Sequence, residues 1–268
     1  MDAYVGVDVA CAKGNRLPII VCTRDSDGLQ LLPLRTSVRF DHRPPKGEGN
    51  AQAIETAFQH RFADETVAYL RAIEAAFGVT ISRIALDAPS RPRTAEDDKR
   101  ECERHLKSIG VQYFSTPSHD EFEAIRRKVQ QHLAAGGSET CIPHANKLWM
   151  LVGFALFHRL RVAWECIEVF PHAIAHIMGA ARIHKTKPGG VQRQLDAAAR
   201  YTRSSGKMMA SELSEVGFGA LHDRSDAYLS AWVASLHEHE REALGPVGPD
   251  AIWIPKLRFM GTDGREPI

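Results

Sequence analysis

Tyr4-Val5-Gly6-Val7-Asp8-Val9-Ala10 is the stretch of sequence that decides the fold. Its β-branched residues favour a strand, and an apolar run this continuous is typical of a strand covered on both faces. An ionised Asp8 cannot lie inside such a strand without a partner, because burying an isolated carboxylate costs many kcal/mol. We therefore expect Asp8 to lie where the strand emerges, to pair with a base, or to hold a cation.

The composition bounds the class of protein. The chain has 268 residues, of which 44% are hydrophobic and 25% are charged, and its formal net charge is +1. These values are typical of a globular protein, and the length allows a single domain over residues 1–268 with one large core. The nearly neutral balance neither indicates nor excludes a polyanionic partner.

The distribution of cysteines and apolar residues predicts the cellular compartment of the protein. Five cysteines without a CxxC pair favour a reducing compartment over a disulfide framework. Asp2 and Asp8 interrupt any apolar region of a signal peptide, and the longest apolar run, Leu148 to Phe157, is too short to span a bilayer. We expect a cytoplasmic protein without a membrane partner, and the sequence leaves open whether it forms a homo-oligomer.

Periodicity and turn signals predict an α/β protein. Three strands joined by tight turns form a meander with antiparallel neighbours, and a helical insertion at about 91–161 separates the fourth strand from a later one. The predicted strands cover residues 4–10, 17–23, 29–34, 81–86, 111–114 and 162–170, and the predicted helices cover 64–77, 94–109, 118–135, 145–161, 173–178, 191–201 and about 225–240.

Carboxylates recur where these elements begin or end. Asp8 lies near the end of the first strand, Asp87 ends the fourth, and Asp223 and Asp226 open the last helix on one shared face. Clustered carboxylates repel each other unless cations hold them, and Mg²⁺ and Mn²⁺ suit oxygen ligands. Two such ions about 3.5–4 Å apart can activate a water and stabilise the leaving oxygen of a phosphodiester. We therefore expect parallel first and fourth strands, with Asp8 and Asp87 side by side in a metal site.

Four segments carry a resemblance to a known family. They are YVGVDVA (4–10), RIALDAPS (83–90), CIEVFPHA (166–173) followed by HKTKPGG (184–190), and HDRSDAYLSAW (222–232). In this order they resemble the domain of unknown function 429 family, which comprises predicted nucleases of RNase H-like fold. The step from Asp223 to Asp226 is most similar to the Holliday-junction resolvase branch of that superfamily.

The resemblance implies a fold and an activity. The fold would be RNase H-like, with a mixed central sheet flanked by helices and with the segment 91–161 as family-specific decoration. The activity would be that of a divalent-metal-dependent nuclease, in which a metal-activated water attacks a DNA or RNA phosphodiester in line. Asp8 would bridge the Mg²⁺ or Mn²⁺ ions, Asp87 and Asp226 would complete their shells, and Asp223 or Glu168 would assist.

Several of these residues have alternative roles. Glu168 could instead be a buried, hydrogen-bonded support for the strand ends, Asp223 an N-cap, and Asp226 a first-turn acid favoured by the helix dipole. Basic residues are predicted to contact substrate phosphates. Alternatively, they belong to a solvated loop or pair with local acids such as Glu96 and Asp97. These basic residues are Lys185, Lys187, Arg193 and Arg91, the last beside Arg93.

Two other functions fit parts of the pattern. An actin-like ATPase or sugar kinase would have a similar opening strand and turn, from Gly6 to Lys13. A non-catalytic nucleic-acid-binding module could keep the fold without the chemistry, and it should then show no stabilisation by Mg²⁺ or Mn²⁺.

Overall fold

The computed structural model describes residues 1–202, 211–248 and 250–257. Within these residues, seven strands form one sheet in the order β3-β2-β1-β4-β5-β7-β6. The strands are β1 (Asp2–Asp8), β2 (Ile19–Asp25), β3 (Gly28–Leu31), β4 (Thr80–Asp87), β5 (Glu165–Val169), β6 (Arg241–Leu244) and β7 (Ile252–Pro255).

Helices flank this sheet, so the protein has a mixed α/β architecture. They are α1 (Asn50–Ala53), α2 (Thr56–Phe77), α3 (Glu101–Ser108), α4 (His119–Ala134), α5 (Ala145–Leu160), α6 (Pro171–Ile177), α7 (Gly190–Thr202), α8 (Leu213–Val216), α9 (Leu221–Ser235) and a 3₁₀ helix (Glu238–Glu240). No helix among the described residues is both long and apolar enough to cross a bilayer.

The sheet combines an antiparallel meander with parallel strands. β1 pairs antiparallel with β2, which pairs antiparallel with β3. On its other side β1 runs parallel to β4, and β4 runs parallel to β5. The predicted meander and the predicted parallel pairing of the first and fourth strands are confirmed.

Alternation along β1 distributes its side chains between two cores. Val5 and Val7 belong to a core that also contains residues of α2 and α5. Gly6 faces the opposite way, towards α9, and a Cβ atom there would overlap the backbone of Ala227 and Ala231. Because side chains alternate along a strand, Asp8 lies on the same side of the sheet as Gly6, facing α9.

Several predicted elements differ from the structure. Residues 111–114 form no strand, because the amide of Val111 donates to the carbonyl oxygen of Leu106 and so closes α3 instead of joining a sheet. The helix predicted over 94–109 is shortened to α3, and local side-chain bonds of Arg93 and Thr94 replace the helical pattern before it. α2 begins at Thr56 rather than at residue 64, since its buried face extends back to Phe58.

The segment 91–161 contains α3, α4 and α5, so its predicted helical character is confirmed. Within this segment α5 packs against α2 and adds Leu148, Val152 and Leu156 to the core beneath β1. The prediction also missed β6 and β7. Only the short apolar run Ile252 to Ile254 pointed to β7, which adds to the sheet next to β5.

Candidate metal centre

The pairing of β1 with β4 positions the first two carboxylates. Asp8 and Asp87 are directly opposite each other in the parallel register, at the end of both strands. Asp87 shares a side of the sheet with Ala85, which belongs to the core containing α9. Both carboxylates therefore leave the same edge of the sheet on the side of α9, as the sequence predicts.

Helix α9 supplies the third carboxylate. Gly6 lets the backbone of α9 approach β1 closely at Ala227 and Ala231, and this approach sets Asp226 beside the strand ends. Asp226 is buried. One carboxylate oxygen from each of Asp8, Asp87 and Asp226 lies within 4.8 Å of the other two.

The charges in this cluster oppose one another. Burial raises the pKa of Asp8 well above its ordinary value, and the neighbouring carboxylates of Asp87 and Asp223 raise that pKa further. Burial likewise raises the pKa of Asp87 to about 7, with smaller contributions from Glu168 and Asp223. The cluster thus favours protons or cations over three bare negative charges.

Lys185 brings a cation into the cluster. Its Nζ atom forms an ion pair with Oδ2 of Asp226, and its charge lowers the pKa values of Asp8 and Asp87 against the other influences. A turn holds this part of the loop, because the Lys187 amide donates to the carbonyl oxygen of His184 at 2.9 Å. Lys185 was predicted as a phosphate contact, and the structure places it among the carboxylates.

Asp223 lies at the margin of the site. Its side chain forms a hydrogen bond with Asp8 that raises the pKa of Asp8, and its Oδ1 atom lies 3.1 Å from Nε2 of His222. The N-cap alternative is wrong, because Ala220 occupies the N-cap of α9 and Asp223 lies within the first turn. Asp226 follows in the second turn.

Glu168 is tied into a different network. Alternation on β5 places it between Ile167 and Val169, which face the core containing α9, so Glu168 points to the other side. Its Oε1 and Oε2 atoms accept hydrogen bonds from Arg100 at 2.8 and 2.7 Å, and Oε2 also accepts the Ser90 amide at 2.8 Å. This geometry is that of the predicted support for the strand ends.

The remaining predicted phosphate contacts lie outside the cluster. Arg91, Lys187 and Arg193 are exposed, and Arg193 lines a separate pocket together with Arg200. Arg93 pairs with Glu121 and donates to the backbone of Asp97. Of the four basic residues predicted to bind substrate, the structure brings only Lys185 to the carboxylates.

Two residues that position the site were missed in the sequence. Arg100 binds Glu168 and also donates a hydrogen bond from Nε to Asp250 at 2.7 Å. Its burial could not be predicted, because the sequence around Arg100 is charged and looks solvent-exposed. Gly6 carried a local signal, since a glycine inside an apolar strand often marks a close backbone approach.

The donor set suits a hard divalent cation. Three carboxylate oxygens within 4.8 Å of one another could hold Mg²⁺ or Mn²⁺, because these ions prefer oxygen ligands. A bound cation would also remove the repulsion that raises the pKa values of Asp8 and Asp87.

Comparison with known proteins gives a family and no characterised relative. No curated protein and no solved structure shows significant similarity to the chain. Residues 6–250 match the family described as Protein of unknown function (DUF429). This match covers most of the 268 residues, so the chain belongs to that family.

Proposed function

We propose that this protein is a nuclease that uses Mg²⁺ or Mn²⁺ to hydrolyse phosphodiester bonds in DNA or RNA. The observation that carries the proposal is the placement of Asp8, Asp87 and Asp226 with their oxygens within 4.8 Å of one another. Such carboxylate clusters suit the two-metal chemistry of phosphodiester hydrolysis.

The proposal extends to the fold. The resemblance implies a mixed central sheet flanked by helices, and the antiparallel meander together with the parallel strands β4 and β5 supports this part of the proposal. The carboxylates lie at the ends of β1 and β4 and on α9, which is where the resemblance puts them. We therefore assign the mixed sheet to the RNase H-like class.

The roles of the side chains follow from their positions. Asp8 interacts with both Asp87 and Asp223 and would hold the metal together with Asp87 and Asp226, while Asp223 would orient Asp8 through their hydrogen bond. Bound Mg²⁺ or Mn²⁺ supplies Lewis-acid activation of water and stabilisation of the leaving oxygen. Lys185, which forms an ion pair with Asp226, would donate to a substrate phosphate.

The test is cleavage of single- and double-stranded DNA and RNA in Mn²⁺ by the wild type and by Asp226→Asn. The amide keeps the shape of the side chain but is a poor metal ligand, so Asp226→Asn should abolish cleavage. The matched control is Asp120→Asn, which changes an exposed first-turn aspartate of α4. It should cost roughly 0.3–1 kcal/mol of stability through the helix dipole and leave cleavage intact.

Two results would overturn the proposal. Absence of cleavage by the wild type on every substrate would exclude a nuclease, and full activity of Asp226→Asn would exclude the metal assignment on α9. Asp223→Asn separates ligand from positioning residue, because a positioning residue should shift the Mn²⁺ dependence of the rate without abolishing cleavage at saturating Mn²⁺.

A non-catalytic nucleic-acid-binding module is the second candidate. The observation that favours it is the ion pair of Lys185 with Asp226, since an ammonium group can neutralise the cluster without a metal. Such a module would bind nucleic acid but would gain no thermal stability from Mg²⁺ or Mn²⁺.

A further inference from the structure

A pocket opens directly beside the candidate metal centre. Asp87 is a member of both, and Ala88 and Pro89 continue the wall of the pocket beyond the end of β4. Arg100 and Glu168 form part of its lining, and their charges are paired with each other. The pocket is therefore continuous with the carboxylates. Arg100 and Glu168 neutralise each other, while the carboxylate of Glu103 also lines the pocket.

Aromatic side chains make up much of the wall. Tyr113 and Phe114 come from the irregular segment after α3, Trp149 comes from α5, and Phe170 follows β5. The Phe114 side chain is 59% exposed at this position. The exposed part of the Phe114 ring is a flat apolar surface beside the candidate metal centre, and no other described residue shields it from solvent.

The dimensions limit what can enter. The cavity measures about 60 Å³, far below the roughly 300–1,000 Å³ of pockets that enclose a whole small ligand. It is also smaller than the cavity of about 150 Å³ that encloses one benzene ring, so it admits the edge of one planar ring, whose face would lie on the exposed side chain of Phe114, and not a complete nucleotide. We do not expect a phosphate group to enter the pocket, because an apolar wall offers no interaction that offsets the free energy of desolvating its charge.

We propose that this pocket receives the edge of one unpaired nucleobase of the substrate, from the nucleotide next to the phosphodiester held at the carboxylates, while the face of the base stacks on the exposed Phe114. This inference rests on the proposed nuclease function and specifies its substrate class as single-stranded or locally unpaired nucleic acid. Stacking on aromatic side chains tolerates any base. A base inside a duplex is stacked and paired, so it reaches such a pocket only after leaving the helix.

Binding measured without cleavage tests the inference. In the Asp226→Asn background, which cannot cleave, the probes are short fluorescent oligothymidylate and oligouridylate, each compared with an otherwise identical oligomer that carries abasic sites. The added substitution is Phe114→Ala. Its matched control is Val162→Ala, which removes another exposed apolar side chain, 74% exposed, before β5 at the opposite edge of the sheet. Thermal melting checks that each variant is folded.

The expected results separate this inference from the nuclease proposal. Phe114→Ala should weaken binding of the intact oligomer by about 5- to 150-fold, the range for loss of one stacked base, and should not change binding of the abasic oligomer. Val162→Ala should change neither.

Equal binding of intact and abasic oligomers would overturn the pocket even if the wild type cleaves nucleic acid. Equal effects of Phe114→Ala and Val162→Ala, or no binding of any oligomer, would overturn it as well. Base-dependent binding that is lost in Phe114→Ala would support the pocket even if the wild type cleaves nothing, and in that case only the nuclease proposal would fail.

Discussion

Asp8 and Asp87 occupy equivalent positions at the ends of two neighbouring parallel strands. A slip of one residue in this pairing would turn one carboxylate to the opposite side of the sheet. The register therefore decides whether a metal site can exist here. It is fixed because Val5 and Val7 on β1 and Ile84 and Leu86 on β4 must all face the same core.

The first prediction concerns metal binding. Mn²⁺ or Mg²⁺ should raise the melting temperature, because a cation relieves repulsion among the three carboxylates; a ligand at 100 times its dissociation constant adds about 2.7 kcal/mol to the unfolding free energy. Asp8→Asn should lose most of this response while the metal-free variant stays at least as stable as the wild type. The exposed Asp27→Asn is the control, and an unchanged response in Asp8→Asn would remove Asp8 from the site.

The second prediction concerns pH. The pKa of Asp87 is about 7 in the folded protein, against about 3.9 in an unfolded chain. Between these values the folded state binds a proton that the unfolded state has released, so stability falls as the pH rises. The unfolding free energy of the metal-free protein should therefore decrease from about pH 4 to about pH 7, by up to about 1.4 kcal/mol for each unit of pKa difference.

Asp87→Asn isolates this contribution. The amide does not titrate, so the loss of stability across the same pH range should be smaller than in the wild type, as measured by urea denaturation without metal. Parallel pH profiles for the two proteins would show that Asp87 does not carry the raised pKa.

The third prediction concerns Lys185. Lys185→Met removes the positive charge paired with Asp226, and it should lower the unfolding free energy of the metal-free protein at neutral pH by about 1.5–3 kcal/mol. Mn²⁺ should bind this variant more tightly, because the ammonium no longer competes for the carboxylate. Lys187→Met, at an exposed neighbouring position, should change neither quantity, and similar losses in the two variants would contradict the assignment.

The fourth prediction concerns the contact between β1 and α9. Gly6→Ala places a methyl group against the backbone of Ala227 and Ala231, so α9 must move away. The expected cost is about 1–3 kcal/mol or more, together with a weakened melting response to Mn²⁺ as Asp226 is displaced. Adding Ala231→Gly should not rescue either loss, because the overlap is with the helix backbone. Rescue would mean that the Ala231 side chain, not the backbone, limits the approach.

The fifth prediction concerns the buried pair of Arg100 and Glu168. Arg100→Met leaves a carboxylate without its partner and should cost about 3–5 kcal/mol. Arg100→Met combined with Glu168→Leu should recover much of that loss in urea denaturation, since no buried charge remains. If Glu168→Gln abolished cleavage without changing stability, Glu168 would belong to the catalytic centre and not to the support of the strand ends.

Local sequence was sufficient for one part of the site. The apolar runs around Asp8 and Asp87 predict strands, and the alternation of side chains predicts which face each carboxylate takes. The apolar stripe that follows Asp226 predicts the final helix, although its bounds moved to Leu221–Ser235. Each of these inferences needs only residues within a few positions of the aspartate concerned.

Tertiary structure alone decided the rest. Arg100 and Glu168 are 68 positions apart, and nothing near either residue indicates the other. Lys185 was predicted to contact a phosphate, and only the tertiary structure shows its ion pair with Asp226 on α9. Tyr113 and Phe114 are residue types that favour a strand. In the structure the Val111 amide instead donates to the Leu106 carbonyl oxygen at the end of α3, and Tyr113 and Phe114 line the wall of a pocket. The sequence determined strand faces because alternation is a local geometric rule; long-range pairing and pocket formation depend on which surfaces the whole chain buries together.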